Sequence, residues 1–304
     1  MINKHTYGGV VWVDLDSPTK DEVEQMVSEY GVSMVVAQEL VKPSLKSRVE
    51  AYDTFVYLII HFPVFKHSHT TETKQEIDFI IGKNFVITAR YDTVDALYQF
   101  SKNIEVESIL NKEIITNPRN IIFSGIMKEM YRSLENELSF TEDWLSNIEK
   151  KIFNSKEKDM VFEISKVGRN LLDFKKATDS HSEVLIALEL VGGRLFGEDF
   201  TTSVKIAQND YQKIKNSIKN NSELTDELRE TNNSLLTTKQ NEVVKVLTIL
   251  AFITLPLSLA SAIFQVDLGT GPILQTPNDL LILVGILVVI SLAILTFFKY
   301  KKLL

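Results

Sequence analysis

Between positions 230 and 258 the chain sets oxygen-bearing and apolar side chains at helical spacings, mostly of three and four. Glu230, Ser234, Thr237 and Asn241 come first, then Val244, Leu247, Thr248, Ala251 and Leu255, and finally Ser258. On a helix of ~3.6 residues per turn they share one face. If several copies of that helix ringed an axis, the face would line a conduit. Val244, Leu247 and Leu255 would form a hydrophobic constriction able to gate by dewetting, flanked by side-chain oxygens able to hold ions. Plain oligomer packing is the competing reading, because any stripe drawn along a helix collects some Ser, Thr and Asn. Asp267 lies just beyond, where a ring of carboxylates would offer hard oxygen ligands suited to Mg²⁺, Ca²⁺ or Mn²⁺. A solitary Asp in a solvated loop would do nothing specific.

Other chemistry is sparse. His61, His67 and His69 cluster in HFPVFKHSH, a possible metal set, although loop histidines after a strand are the commoner case. The 304 residues include no cysteine, so disulfides, zinc–thiolate sites and cysteine catalysis are excluded. No Gly-rich phosphate loop, Ser/His/Asp constellation or pair of catalytic carboxylates stands out, and no enzyme is expected. Gly192, Gly193 and Gly197 in LVGGRLFGED read as a turn between long helices. A net charge of −7 argues against nucleic acid as a partner.

The elements that must position the stripe are legible from periodicity. Residues 1–120 alternate strand-like and helix-like segments and form an α/β domain, with strands at 10–15, 55–62, 76–81 and 84–89. A helix over 17–30 opens on an N-cap-like Ser17-Pro18 with acids in its early turns. Residues 121–198 carry two amphipathic helices, 121–151 and 161–190, expected to pack as an antiparallel pair. A third helix starts near Asp199, meets no breaker before Pro256, and continues to 264. Its length implies self-association, because one small domain cannot stabilise it.

Two apolar spans end the chain. Residues 243–264 would reach ~33 Å and 280–298 ~28 Å as helices, matching a hydrocarbon core of roughly 30 Å. The loop 265–279 holds two aspartates and no Lys or Arg, whereas Lys239 and Lys245 precede the first span and Lys299, Lys301 and Lys302 follow the second. By the positive-inside rule both termini, including the basic tail 299–304, are cytoplasmic. The first residues lack an apolar run of signal-peptide length, so insertion through the C-terminal spans into an inner or plasma membrane is expected. Lys245 would snorkel to inner-leaflet phosphates.

The block KQNEVVKVLTILAFITLPLSL (239–259) resembles the run MNEVMKVLT…I..PLT that leads into the first membrane helix of the CorA family of divalent-cation (magnesium) transporters. WVDLDSP (12–18), PSLKSRVEAYD (43–53) and the two C-terminal spans extend the resemblance over nearly the whole chain. It implies a homopentameric funnel in the bilayer, lined by the first membrane helix and carrying Mg²⁺ passively down the membrane potential. It also implies regulatory Mg²⁺ sites between neighbouring subunits, with Asp92, Asp95 and Asp210 the nearest candidates, an acidic pore mouth at Glu230, and no organic cofactor. One departure stands out. Where the family ends its first span in Gly-Met-Asn, with the Asn amides implied to hold hydrated Mg²⁺, this chain has Gln265-Val266-Asp267. Carboxylates there add a negative field and repel one another, and a backbone that bends freely is lost. Two alternatives follow: altered specificity toward Zn²⁺, Co²⁺ or Ni²⁺, or a non-conducting membrane-anchored metal sensor or scaffold.

Overall fold

A computed structural model describes residues 1–63, 74–110, 117–265 and 277–300. The N-terminal part is built on a mixed sheet. Its strands are β1 (Ile2–Tyr7), β2 (Val10–Asp16), β3 (Arg48–Ala51), β4 (Phe55–Pro63), β5 (Lys74–Gly82) and β6 (Phe85–Arg90). Their spatial order is β1-β2-β6-β5-β4-β3, with β2 and β6 parallel and the other neighbours antiparallel. β4 is buried at every position and β5 at all but its first. Burial on both faces explains why they read as apolar runs rather than alternating ones.

Helices α1 (Lys20–Tyr30) and α2 (Met34–Glu39) cover one face. Val23, Met26, Val36 and Ala37 pack there with Val13, Leu15, Tyr57, Ile59, Ile80 and Ile87. α1 starts two residues later than its sequence suggests. Thr19, not Ser17, is the N-cap, accepting from the Glu22 amide while the Glu22 carboxylate takes the Thr19 N–H. This reciprocal capping box satisfies two amides that the helix itself cannot, and Ser17 lies outside it at φ 46°.

The opposite face meets α3 (Asp95–Leu110) and α4 (Pro118–Phe153) through Trp12–Phe100 and Phe79–Phe123 ring contacts at 5.3 and 5.8 Å. The expected second long helix is two helices, α5 (Glu157–Thr178) and α6 (His181–Phe196). The break at Asp179-Ser180 lets His181 turn fully inward. Its Nε2 donates to the His61 carbonyl at 2.6 Å, and its Nδ1 lies 2.9 Å from the Tyr131 hydroxyl. Gly192 and Gly193 lie inside α6 rather than in a turn. A Cβ on Gly192 would come within 2.3 Å of the Phe200 ring, so these glycines permit close helix approach; Gly197, at φ 90°, makes the turn.

Helix α7 (Glu198–Gln265) runs 68 residues, ~100 Å at 1.5 Å per residue, with Pro256 inside it. Its first half buries Phe200, Val204, Ala207, Tyr211, Ile214, Ile218, Asn221, Thr225 and Leu228. These alternate spacings of four and three, a seam against the chain's own helices. Phe200 meets Phe123, Tyr211 meets Tyr131, and the Asn221 amide donates to the Leu138 carbonyl at 3.4 Å. Helix α8 (Pro277–Tyr300) follows. The chain divides into two units, Met1–Arg229 and Glu230–Leu304.

Candidate ion pathway

The stripe residues sit on α7, and each of them is exposed in the single chain. Glu230 is two positions from the buried Leu228 and Asn232. At ~100° per residue that places it about 160–200° round the helix, away from the seam. The stripe therefore starts on the face that intrachain packing leaves open. Val244, Leu247 and Leu255 are 52%, 59% and 69% exposed, and Val243, Leu250, Phe252 and Leu259 are exposed too. This part of α7 is long and apolar enough to cross a membrane, with a mean hydropathy of 1.9 and none of that window buried. The Thr237 and Thr248 hydroxyls donate to the carbonyls of Asn233 and Val244 at 2.9 and 2.8 Å. Their hydrogens are thereby used along the helix, and the oxygens remain acceptors.

Gln265 is the last residue of α7. Val266 and Asp267 lie outside the described residues, as do His67 and His69.

The candidate regulatory acids are separate within one chain. Asp92 accepts from the Thr93 amide at 2.7 Å, and its carbonyl accepts from Arg90 at 3.0 Å. Asp95 stands exposed in the first turn of α3. Asp210 pairs with Lys213 at 2.8 Å. Among the described residues no group of three or more His, Asp or Glu could hold a metal ion.

His61 is a core residue. Its Nδ1 lies 2.8 Å from the Ser47 hydroxyl, and its Nε2 lies 3.0 Å from the Ser44 carbonyl and 3.1 Å from Glu76. The segments quoted for the family resemblance also have physical roles. Arg48 is clasped between Glu39 and Glu50, and Tyr52 donates to Glu50 at 3.0 Å. Hydrogen bonding from Arg48 holds the Glu50 carboxyl below its ordinary range. Trp12 donates to Thr88, Thr88 to Asp14, and Arg90 bridges Asp14 and Asp16. Both segments brace the sheet.

Sequence reasoning passed over one buried cluster, Glu76 and Asp78 on β5 with Tyr57 and Tyr91. Its only signal was two carboxylates two apart inside the apolar run EIDFII, facing FVYLIIHF.

A mixed sheet between helices, followed by a bundle whose last helix prolongs into an uncovered apolar stretch, defines the class of fold. It matches the complete CorA magnesium transporter of Methanocaldococcus jannaschii at a TM-score of 0.81 and 19% identity, covering 96% of this chain and 90% of that one. Residues 7–302 match the family described as CorA-like Mg2+ transporter protein, and the chain belongs to that family. Its curated relatives include the cobalt/magnesium transport proteins CorA of Thermotoga maritima and M. jannaschii. The first is 22% identical over 96% of this chain and 82% of the relative, the second 21% over 95% and 90%.

Proposed function

We propose that this protein moves divalent cations, Mg²⁺ foremost, passively across a membrane as a homopentamer whose conduit is lined by the α7 stripe. The observation that carries this reading is the uncovered stretch of α7: none of its positions from Asn233 to Leu259 is buried, and the stripe of Glu230, Ser234, Thr237, Asn241, Val244, Leu247, Thr248, Ala251, Leu255 and Ser258 is exposed throughout. Copies of the helix around an axis would cover the apolar positions and turn the oxygens inward. Family membership and the magnesium and cobalt named for the relatives support a divalent cargo. At ~2.3 kcal/mol per charge per 100 mV, a divalent ion gains about 4–5 kcal/mol on inward movement, which makes ATP or an organic cofactor unnecessary. The chain would span the bilayer twice, with α8 as the second span and both termini inside. Asp92 or Asp95 of one copy would face Asp210 of the next across Mg²⁺, in competition with Lys213 for Asp210.

Gln265-Val266-Asp267, in the position of Gly-Met-Asn, favours a second reading: the same conduit with selectivity shifted toward Zn²⁺, Co²⁺ or Ni²⁺. Proteoliposomes under an inside-negative potential test both, with the wild type and Asp267→Asn compared on Mg²⁺, Co²⁺, Ni²⁺ and Zn²⁺. Mg²⁺ uptake by the wild type supports the first reading. A transition-metal preference that relaxes in the variant supports the second. Pentamers that bind metal but leave flux at background for every ion would establish a non-conducting sensor and sink both.

A further inference from the structure

The carboxyl groups of Glu76 and Asp78 lie two apart on β5, on the same face as the α1/α2 core, with His61 and Ile59 of β4 opposite them in register. Both residues are at least 96% buried. A count of donors assigns four of the cluster's hydrogens. The Glu76 Oε2 accepts from the Ser44 amide at 2.6 Å and faces His61 Nε2 at 3.1 Å. That nitrogen faces two acceptors, Glu76 and the Ser44 carbonyl, so it carries a hydrogen. The Asp78 Oδ2 accepts from Tyr91 at 2.9 Å and from Tyr57 at 3.3 Å. The remaining oxygens, Glu76 Oε1 and Asp78 Oδ1, are buried with no donor at all.

The two carboxyls are neighbours on one face of β5, and a single hydrogen placed between them would satisfy both orphaned oxygens. We propose that Glu76 and Asp78 form a buried proton-binding site, with one proton held between Glu76 Oε1 and Asp78 Oδ1. Burial, and then the neighbouring Glu76 charge, hold the Asp78 carboxyl well above its ordinary range, in keeping with this geometry. Among the described residues no Lys or Arg pairs with either carboxyl, and the base that faces them is His61, 3.1 Å from Glu76. Arg48 on β3, 6.0 Å from the Tyr57 ring, is engaged by Glu39 of α2 and by Glu50. The other titratable groups facing the pair are Tyr57, Tyr91 and His61, which supply hydrogens.

His61 also borders a cleft of about 380 Å³ lined by Ser47, Lys74, Lys176, Asp179 and Glu183, through which the proposed site would exchange its proton, while its backbone carbonyl holds His181. Loss of the proton places two adjacent anions in the core of β5. The site therefore makes this unit respond to the pH of the compartment it faces, and it is independent of which ion the protein carries.

The test is the pH dependence of unfolding for the full-length chain in lipid nanodiscs between pH 5 and 9, compared with Asp78→Asn and Glu76→Gln. Either amide supplies a permanent N–H in the gap. Wild-type stability should fall relative to each variant as pH rises, by up to tenfold in the unfolding constant per pH unit. That is the signature of one proton bound in the folded state and absent from the unfolded one. His181 titrates equally in all three proteins and cancels. In parallel, the infrared spectrum of the wild type at neutral pH should contain a protonated-carboxyl C=O band that shifts when aspartate or glutamate is ¹³C-labelled and vanishes in the variants. Parallel stability curves, a band unmoved by labelling, or no band in the wild type would each overturn the proposal; if a variant fails to fold, the labelled wild type decides.

Discussion

At the scale of single residues, the histidines carry more than their sequence context suggests. In HFPVFKHSH, His61 reads as a loop residue or part of a metal set, whereas it is a buried hydrogen-bonding hub between Ser44, Ser47 and Glu76. His181 drew no attention, because an isolated His in an amphipathic helix has no distinctive pattern. Full burial lowers its pKa to about 4, despite the opposing hydrogen bond to the His61 carbonyl. A folded value below the unfolded ~6.5 means that its contribution is complete above pH ~6.5 and lost as pH falls toward 4. The loss is of order 3 kcal/mol, measurable as acid unfolding of the purified protein. His181→Phe keeps the ring contacts with Phe62 and Tyr131 but not the hydrogen bonds. It should flatten that acid limb and cost about 1–3 kcal/mol at pH 7, because the Tyr131 hydroxyl and the His61 carbonyl lose their partner. Thr19→Ala should lower stability by about 1 kcal/mol through the lost cap, read as a fall in Tm.

At the scale of elements, period and composition revealed what was long and regular. The apolar runs at β4 and β5 and the uninterrupted stretch that became α7 were legible because burial on both faces and the absence of breakers are local properties. β1 (INKHTY) and β3 (RVEA) escaped notice, being short, polar edge strands that acquire their structure from neighbours. The α5–α6 break escaped too, because Asp179-Ser180 contains neither Gly nor Pro and nothing local marks the turn that lets His181 into the core. The reading of Gly192 and Gly193 as a turn failed for a related reason: glycine also appears where two helices must touch. Gly192→Ala would drive a Cβ into the Phe200 ring and should destabilise the protein by about 1–3 kcal/mol, whereas Ala in an ordinary helix interior stabilises. Chemical denaturation of the variant checks the sign.

At the scale of the whole molecule, exposed Val244, Leu247, Leu250, Leu255 and Leu259 form an apolar stretch that the proposed pentamer in lipid would cover. On that proposal, native mass spectrometry from mild detergent should yield pentamers. Leu247→Ser, which wets the apolar stretch of the proposed conduit, should raise the basal cation leak of proteoliposomes several-fold or more without altering assembly. The sequence by itself determined the family, the α/β start and the long helix, because each depends on the order and spacing of residues along one continuous segment. Only the tertiary structure decided which face of the first half of α7 is consumed by packing, where His61 and His181 are buried, and that Glu76 and Asp78 are each buried with one carboxyl oxygen lacking a donor. Those outcomes depend on the register between strands and on helices that meet across long sequence separations. Satisfying buried polar groups is a three-dimensional condition to which no local spacing points.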